Sequence, residues 1–415
     1  MTYCTVIRGC VASAGLALLL PTLSFATELR LSDALSLATS IHPTVKAKQA
    51  ELQAAQGDLE TARWSRYPTV STEATAAGGR PQGALLVQQP LWAGGKIDAQ
   101  NRLAQANVTL AEAGLQEARI SLMQQTGTQF FDALRWRERL SVAKKNEAEH
   151  RKLLALIERR VGSEVSPMAD QVLANARLQQ AVSERIQFQR SLQTAELALQ
   201  QLVGEPPSVL RPPKTLGWQV QSEGIAIETA KSSSAELLRL RTQQLVSQAQ
   251  IDMAEAAVYP TLALAHRRAL GSSDNGTDPS RTYLALQFSP GPGLSARSAV
   301  AAARSRLENS MQNAVVYERQ LEQQVRTALA DLEALTQQVE PAQQLVSATE
   351  EVVASYLRQY QIGKKNWLDV LNAVRESGQA TYSAVDVATS AQSVQLRLML
   401  LTGQLSAQNL TMIYD

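Results

Sequence analysis

The segment from Gly94-Gly95 to about Val161 contains no proline, and this run constrains the fold more than any other feature of the chain. A long proline-free run rich in Ala, Gln, Leu, Glu and Arg is typical of one continuous helix. At 1.5 Å per residue that helix would be roughly 100 Å long, more than a globular domain requires. A second such run, from about Leu294 to Gln361, has only Pro341 to bend it. The chain is therefore predicted to be elongated and mainly helical.

Apolar residues in both long segments recur at alternating steps of three and four, which is the spacing of a coiled-coil seam. Many of them are alanines, which allow helices to approach closely. Periodicity alone leaves a solvated helical bundle open as the alternative. The seam residues are Leu103, Ala106, Leu110, Ala113, Ile120, Gly127, Phe131 and Leu134 in the first segment, and Val300, Ala303, Leu307, Ala314, Tyr317, Leu321, Ala328 and Leu335 in the second.

Residues 1–26 have the pattern of a cleavable secretory signal peptide. Arg8 precedes an apolar core from Val11 to Leu20, and small residues follow at Ser24 and Ala26. The alternative is a membrane anchor, but the apolar core is shorter than the roughly 20 residues that a bilayer span needs. We therefore expect export, with a mature chain that begins near Thr27.

The two cysteines of the chain, Cys4 and Cys10, both precede the apolar core. A bacterial lipoprotein carries its modified cysteine just after that core, so we expect neither lipid anchoring nor disulfides. After residue 26 no run of about 18 apolar residues occurs, which argues against a helical inner-membrane protein. If this chain enters a membrane, it is predicted to do so as strands.

Charge and composition exclude several functional classes. The chain has 40 basic and 38 acidic residues, a net charge of +2, which argues against a nucleic-acid partner. His42, His150 and His266 are far apart in the sequence, and no phosphate-binding glycine loop or zinc-type histidine pair occurs. We therefore expect no enzyme activity, no cofactor and no metal, and we interpret His42 as a helix-entry residue.

Four short sequence landmarks recur in order along the chain. Tyr67-Pro68-Thr69-Val70 returns as Tyr259-Pro260-Thr261-Leu262, and three further pairs follow it. The offsets of the four pairs are 192, 200, 201 and 199 residues, which indicates a tandem duplication. The further pairs are Gln89-Pro90-Leu91 with Ser289-Pro290-Gly291, Arg160-Val161-Gly162 with Gln361-Ile362-Gly363, and Leu202-Val203-Gly204 with Leu401-Thr402-Gly403.

Each half is predicted to contain a helix, two strands, a long helix, a turn and a further helix. The first half covers residues 27–215, and its first helix is predicted from Leu31 to about Ser65, before Pro68. The remaining elements are strands 67–78 and 83–92, the long helix 96–161 and the helix 168–203. The second half, residues 216–415, is predicted to contain the helix 234–258, strands 259–270 and 282–290, the long helix 294–361 and the helix 366–405.

The predicted strands alternate in polarity as half-buried strands do. Leu284, Leu286 and Phe288 face one way, whereas Tyr283 and its alternate neighbours face the other. Four short strands cannot close a barrel, and lipid tolerates no open sheet edge. A membrane protein of this kind would therefore need several chains, each supplying part of one barrel. A small soluble sheet is the alternative that the strands alone leave open.

The chain resembles the TolC-type outer-membrane efflux family. The resemblance is carried by Leu31-Ser32-Asp33-Ala34-Leu35-Ser36-Leu37-Ala38, by His42-Pro43, by Gln89-Pro90-Leu91-Trp92-Ala93-Gly94-Gly95-Lys96 and by the duplicated plan, from about Leu29 to Leu405. It implies a mainly α protein whose long coiled-coil helices form a periplasmic α-barrel. It also implies a homotrimer in which four strands per chain build a twelve-stranded barrel in outer-membrane lipid.

As a function, the resemblance implies an exit duct that works with a periplasmic adaptor and an inner-membrane ABC or proton-driven pump. The missing lipidation cysteine brings the chain nearer to the unlipidated branch that serves type I protein secretion, which we prefer over multidrug efflux. A periplasmic coiled-coil adaptor or scaffold without a pore is the alternative, although we find no β-rich lipoyl-like segment. An enzyme with helical decoration is the weakest hypothesis.

In similar proteins the two helix-turn-helix tips bind the adaptor and form the gate. By this resemblance Arg160, Val161, Gly162 and Ser163 would dock the adaptor on one tip, and Ile362, Gly363 and Lys364 on the other. We expect glycine to permit the tight reversal in both tips. The first turn, which contains Pro167, is predicted to be about two residues longer than the second.

The resemblance also places Asp369 at the narrow end of the pore, where three copies would form an acidic ring that attracts cations. Asn372 stands where a similar channel has a second acidic residue, so we expect a less negative aperture. Tyr360 and Lys365 correspond to residues that hold the tips closed through an acidic partner on the other hairpin. Asp170 is the candidate for that partner. The alternative for each of these charged residues is an ordinary solvated position on a helix surface.

Overall fold

The computed structural model describes residues 28–77, 80–206, 209–218, 222–270, 280–289, 291, 295–407, 409–410 and 413–414. The predicted signal peptide, residues 1–26, lies outside these ranges, as do the predicted strand ends at 78 and 290.

The first half of the chain is a short strand, two helices, a β-hairpin and two long helices. These elements are β1 (Glu28–Arg30), α1 (Leu31–Ile41), α2 (Pro43–Trp64), β2 (Thr69–Ala77), β3 (Arg80–Trp92), α3 (Lys96–Gly162) and α4 (Met168–Val203). Two short strands lead into the second half, which repeats the order of helices and strands. Its elements are β4 (Val209–Arg211), β5 (Thr215–Leu216), α5 (Glu223–Ser233), α6 (Ala235–Ala256), β6 (Thr261–Leu270), β7 (Ser280–Gln287), α7 (Ala296–Gln361), α8 (Trp367–Leu401) and β8 (Ile413–Tyr414).

The single helix predicted from Leu31 to Ser65 is wrong, because the chain breaks at His42. Pro43 has no backbone N–H and disfavours helical backbone in the residue before it. His42 accordingly has extended φ and ψ angles of −63° and 135°, and its Nδ1 accepts a hydrogen bond from the Thr44 amide at 3.2 Å. His42 therefore caps α2, in agreement with its interpretation as a helix-entry residue.

The second half has the same break without a proline. Ser234 separates α5 from α6, and its hydroxyl accepts a hydrogen bond from the Leu237 amide at 3.2 Å. The predicted helix 234–258 thus ends at Ala256, and α5 precedes it unpredicted. The last helix ends at Leu401 instead of residue 405, because Gly403 adopts a left-handed φ of 69° that closes the helix.

Strands β2, β3, β6 and β7 form one antiparallel sheet in the order β2-β3-β6-β7. The two hairpins are thus adjacent in the sheet, and β2 and β7 are its edges. Because residues that pair across antiparallel strands point to the same face, the register assigns every side chain to one of two faces.

The two faces of this sheet differ in chemistry. One face, here called the leucine face, carries Val70, Val87, Leu264, Leu284 and Leu286, and four of these side chains are more than 40% exposed, Leu286 reaching 70%. The other, here called the small-residue face, carries Thr69, Gln88, Ala263, Ala265 and Gln287. The alternation predicted for 283–288 is therefore present.

The helices pack along their lengths. Helix α3 contacts α2, α4, α6 and α8, and α7 contacts α5, α6 and α8, so α3 has partners on more than one side. The largest buried cluster lies where α1, α3, α4 and α8 meet, around Met123, Phe130, Leu199 and Met399, each 0% exposed. Among the described helices, none combines the length and the hydropathy that a bilayer-spanning helix needs.

Two small strand pairs join this cluster and were not predicted. β1 pairs with β4 in parallel, and β5 pairs with β8 in an antiparallel manner, so the segment between the halves is tied to both ends of the described chain. Strands of two or three residues are too short to show a polarity pattern.

Candidate functional site

The two helix-turn-helix tips have the same backbone conformation. In the first, the Val165 amide donates to the Arg160 carbonyl at 2.8 Å and the Glu164 amide to Val161 at 2.9 Å. In the second, the Lys364 amide donates to Gln359 at 2.9 Å and the Gly363 amide to Tyr360 at 3.1 Å. Both patterns are Schellman motifs, which require a left-handed residue just after the helix.

The left-handed position is filled by glycine in only one tip. Gly363 has a φ of 77° in the second tip, as predicted, whereas Glu164 has a φ of 58° in the first. Gly162 is the last residue of α3. The prediction that Gly162 provides the first reversal is therefore wrong, and the landmark that paired Gly162 with Gly363 was displaced by two residues.

The two turns are equal in length, which corrects the predicted difference of two residues. Five residues, 163–167, separate α3 from α4, and five, 362–366, separate α7 from α8. Asp170 and Asp369 consequently occupy the same place, the third residue of their helices. Asp170 is the structural counterpart of Asp369, and each tip presents one carboxylate in the first turn of its second helix.

The local bonds of the two aspartates differ. An Asp369 carboxylate oxygen accepts a hydrogen bond from the Asn366 amide at 3.3 Å, and the Asn366 side chain accepts one from the Asp369 amide. This capping box holds the carboxylate at the start of α8. Pro167 precedes α4 and has no N–H, so Asp170 cannot form the same bond.

Lys365 lies in the turn between α7 and α8. Its Nζ is 3.8 Å from an Asp369 oxygen, and it stacks over the Tyr356 ring at 4.2 Å from the centroid. The Asp369 side chain is still 40% exposed. Asn372 follows one turn later on α8 and is half-buried.

At the tips, Arg160, Ser166 and Tyr360 make a polar contact between the two hairpins. The Tyr360 hydroxyl lies 3.2 Å from the Ser166 hydroxyl, and Arg160 Nε donates to the same Ser166 oxygen at 3.3 Å. The Arg160 guanidinium also stacks over the Tyr360 ring at 4.8 Å. Within one chain, Tyr360 and Lys365 therefore do not use Asp170 as their partner. Tyr360 contacts Ser166, whereas Lys365 contacts Asp369.

Trp367 reinforces this contact and was not predicted as a site residue. Its ring lies 5.2 Å from that of Tyr360, and the side chain is 3% exposed within a cluster with Ile157 and Leu371. The only sequence signal for it is an aromatic residue directly after a predicted turn.

Exposed apolar side chains surround the polar residues of both tips. Val165, Met168 and Val172 are 61 to 62% exposed on the first tip, and Ile362 and Leu368 are 67% and 50% exposed on the second. Gly162, Ser163, Gly363 and Lys364 are exposed as well, whereas Arg160 and Val161 are half-buried. Apolar patches at exposed ends are typical of protein interaction surfaces.

A group of charged residues joins the two halves at the level of α5, far along the helices from the tips. Arg239 on α6 contacts Glu117 on α3 at 2.5 Å and Glu236 at 2.7 Å. Burial and a hydrogen bond with Glu236 raise the pKa of Glu117 to about 7. Burial opposes ionisation of Glu236, but hydrogen bonds with Glu117 and Arg239 outweigh it and lower the pKa of that carboxyl.

The model of the outer membrane efflux protein family matches residues 34–205 and residues 226–404, most of the chain. The chain belongs to the outer membrane efflux protein family. The predicted resemblance and fold class are confirmed, and the family supports transport in the outer membrane. No curated protein sequence gives a significant match.

Solved structures agree on the fold. A membrane protein from Pseudomonas aeruginosa has a TM-score of 0.80 at 19% identity, over 93% of this chain and 92% of that one. The outer membrane protein VceC from Vibrio cholerae has a TM-score of 0.76 at 20% identity, over 90% and 96%. The CmeC outer membrane channel of Campylobacter jejuni has a TM-score of 0.77 at 14% identity, over 90% and 85%.

Proposed function

We propose that this protein is the outer-membrane exit duct of a tripartite export system and that it works as a homotrimer. The observation that carries this proposal is the four-stranded sheet, which has an exposed leucine face and two unpaired edge strands. Three copies give twelve strands, and pairing β7 of one chain with β2 of the next closes a barrel without free edges. The leucine face then meets lipid, and the long helices continue the duct into the periplasm.

The tips are the periplasmic end of this duct. The exposed apolar side chains around Arg160–Ser163 and Ile362–Lys364 dock a periplasmic adaptor, which connects the trimer to an inner-membrane ABC or proton-driven pump. The Arg160, Ser166 and Tyr360 contact holds the ends of the two hairpins of each chain together, beside the apolar cluster around Trp367. Loss of that contact opens the aperture.

Asp369 supplies an acidic ring at the aperture. The capping box fixes the carboxylate at the start of α8, where three copies around a threefold axis favour cations. Asn372, one turn further, adds no charge, so the ring has one carboxylate per chain. Lys365 lies near enough to weaken the field of each carboxylate but does not enclose it.

Single-channel recordings in planar bilayers test the pore and the role of Asp369 together. Asp369→Asn removes the charge but keeps an oxygen that can accept the Asn366 amide, so the cap is preserved. Asp170→Asn, at the equivalent place on the other tip, is the matched control. We expect wild-type pores to be cation-selective and blocked by divalent cations, with both properties reduced in Asp369→Asn and unchanged in Asp170→Asn.

Two results would contradict the proposal at different points. A folded, membrane-extracted trimer without pores would remove the duct and favour a periplasmic scaffold. Pores with equal selectivity in wild type and Asp369→Asn would keep the duct but remove the acidic ring.

We also propose how the protein reaches the outer membrane and what it exports. Residues 1–26 direct export and are removed, and the mature chain is not lipid-anchored, since Cys4 and Cys10 precede the apolar core of the leader. On that ground we prefer type I protein secretion to drug efflux. Deletion of the gene should abolish secretion of a protein into the medium; increased drug sensitivity with normal secretion would overturn the preference.

A further inference from the structure

Two arginines lie directly opposite one another on β6 and β7. Arg267 pairs with Arg281 in the register of these strands, so their Cβ atoms are about 5 Å apart on the same face of the sheet. Like charges in this position destabilise a sheet unless something compensates them. An anionic group close to both arginines would therefore stabilise this part of the sheet.

Both arginines belong to the small-residue face. Arg267 also pairs with Leu86, and the adjoining row on this face contains Gln88, Ala265 and Tyr283. Ala263 and Ala265 are 6% and 2% exposed, which is the crowding expected on the concave side of a curved sheet. Arg268 points the other way, onto the leucine face.

The described residues provide too little negative charge for this pair. Neither Arg267 nor Arg281 forms an ion pair within the described part of the chain, and Arg281 instead stacks over the Tyr283 ring at 5.3 Å. Glu73 is the one acidic residue in the described positions of the four strands, and it lies on the same face at the β2 edge. Even if a neighbouring chain brings Glu73 close, two guanidinium groups face one carboxylate.

In the proposed trimer the small-residue face lines the lumen, and this inference rests on that function. Arg267 is six residues beyond the start of β6 at Thr261, about 20 Å along the strand at 3.4 Å per residue, toward the hairpin end. Three chains would place six guanidinium groups at that level. Rings of arginine select anions in pores, and a low-dielectric wall strengthens their field.

We propose that Arg267 and Arg281 form an anion-binding ring in the lumen near the hairpin end of the barrel. It takes the phosphate or carboxylate groups of polyanionic solutes, which guanidinium binds with two parallel hydrogen bonds. The duct thus has opposite charges at its two ends, acidic at the helical tips and basic in the barrel.

Block of single-channel current by inositol hexakisphosphate tests this ring. The probe carries six phosphates and is added to either side of a bilayer that contains one trimer. We expect block from one side, with a half-blocking concentration at least about tenfold higher in the Arg267→Gln/Arg281→Gln double variant. Arg268→Gln, which removes the same charge from the opposite face of the same strand, is the matched control and should stay within about twofold of wild type.

The outcomes separate this inference from the proposed function. Wild-type pores that inositol hexakisphosphate does not block, or that the double variant leaves equally sensitive, would overturn the ring and leave the duct intact. A larger effect of Arg268→Gln than of the double variant would show that the small-residue face is not the lumen. Complete absence of pores would overturn the proposed function and the ring with it.

Discussion

At the residue scale, the two tips place different residues in one demanding backbone conformation. Gly363 adopts a left-handed φ without strain, but Glu164 at the equivalent position has a Cβ that this conformation disfavours by about 1 kcal/mol. The left-handed position of the first tip could not be predicted from the sequence, because the glycine of this tip, Gly162, lies two residues before it. Only the hydrogen bonds of the turn identify the left-handed residue.

The Glu164→Gly variant should therefore stabilise the first tip by about 1 kcal/mol. Hydrogen exchange of the Val165 amide, which is bonded to the Arg160 carbonyl, reports this locally and should slow about fivefold. Gly363→Ala is the reciprocal control and should speed exchange of the Lys364 amide. Unchanged exchange at Val165 would mean that Glu164 is not strained.

The candidate site was partly predictable at this scale. Family resemblance selected Asp369, Tyr360 and Lys365, but not the partners that hold them, because these depend on side-chain geometry across two hairpins. The resemblance predicted Asp170 as the acidic partner of Tyr360 and Lys365, whereas the equal turn lengths make it the counterpart of Asp369. Ser166 has no feature in the sequence that distinguishes it from other turn serines.

At the scale of elements, predictability followed the strength of the local signal. The long helices were predicted to within one or two residues, because a proline-free run ends only where turn residues accumulate. The break at Pro43 has a clear chemical cause, although the predicted helix ran across it from Leu31 to Ser65. The equivalent break at Ser234 has only a serine cap to mark it, and α5, which precedes it, was not predicted.

The contact between α3 and α6 should make stability depend on pH. The folded protein retains the proton of Glu117 up to about pH 7, whereas the unfolded chain releases it near the ordinary value of 4.5. Folding therefore takes up a proton between these values, so the contribution of Glu117 to stability is largest below about pH 4.5 and is lost as pH rises toward 7. The lowered pKa of Glu236 acts below this window.

Thermal unfolding of the purified protein between pH 4.5 and pH 7.5 measures this effect. The Glu117→Gln variant keeps an uncharged hydrogen-bonding side chain and should flatten the decline in melting temperature across the window. A decline equally steep in Glu117→Gln would assign the pH dependence to other groups.

At the scale of the whole molecule, the sequence pattern predicted long helices and short strands in two copies, whereas the barrel architecture came from the family resemblance. Helices of about 100 Å are joined to short amphipathic strands in each half of the chain. The four strands form one sheet that is too small to close into a barrel. The structure places β2 and β7 at its open edges, and no property of a single chain determines how those edges are paired. The number of chains that close the ring is thus the point on which the whole account depends.

Disulfide cross-linking between the edge strands tests that closure. Val70→Cys on β2 is combined in turn with Thr282→Cys, Leu284→Cys or Leu286→Cys on β7, all on the leucine face, with Cys4 and Cys10 replaced by serine. Within one chain β2 and β7 are three strand spacings apart, about 14 Å, too far for a disulfide. Ser71→Cys, which faces the small-residue side, replaces Val70→Cys in the control pairs.

Non-reducing electrophoresis of oxidised outer membranes then gives the decisive measurement. We predict that at least one Val70→Cys pair yields covalent dimers and trimers and that the series stops at the trimer, because three chains close the ring. A ladder that continues beyond the trimer, or the absence of cross-links in every pair, would contradict the account.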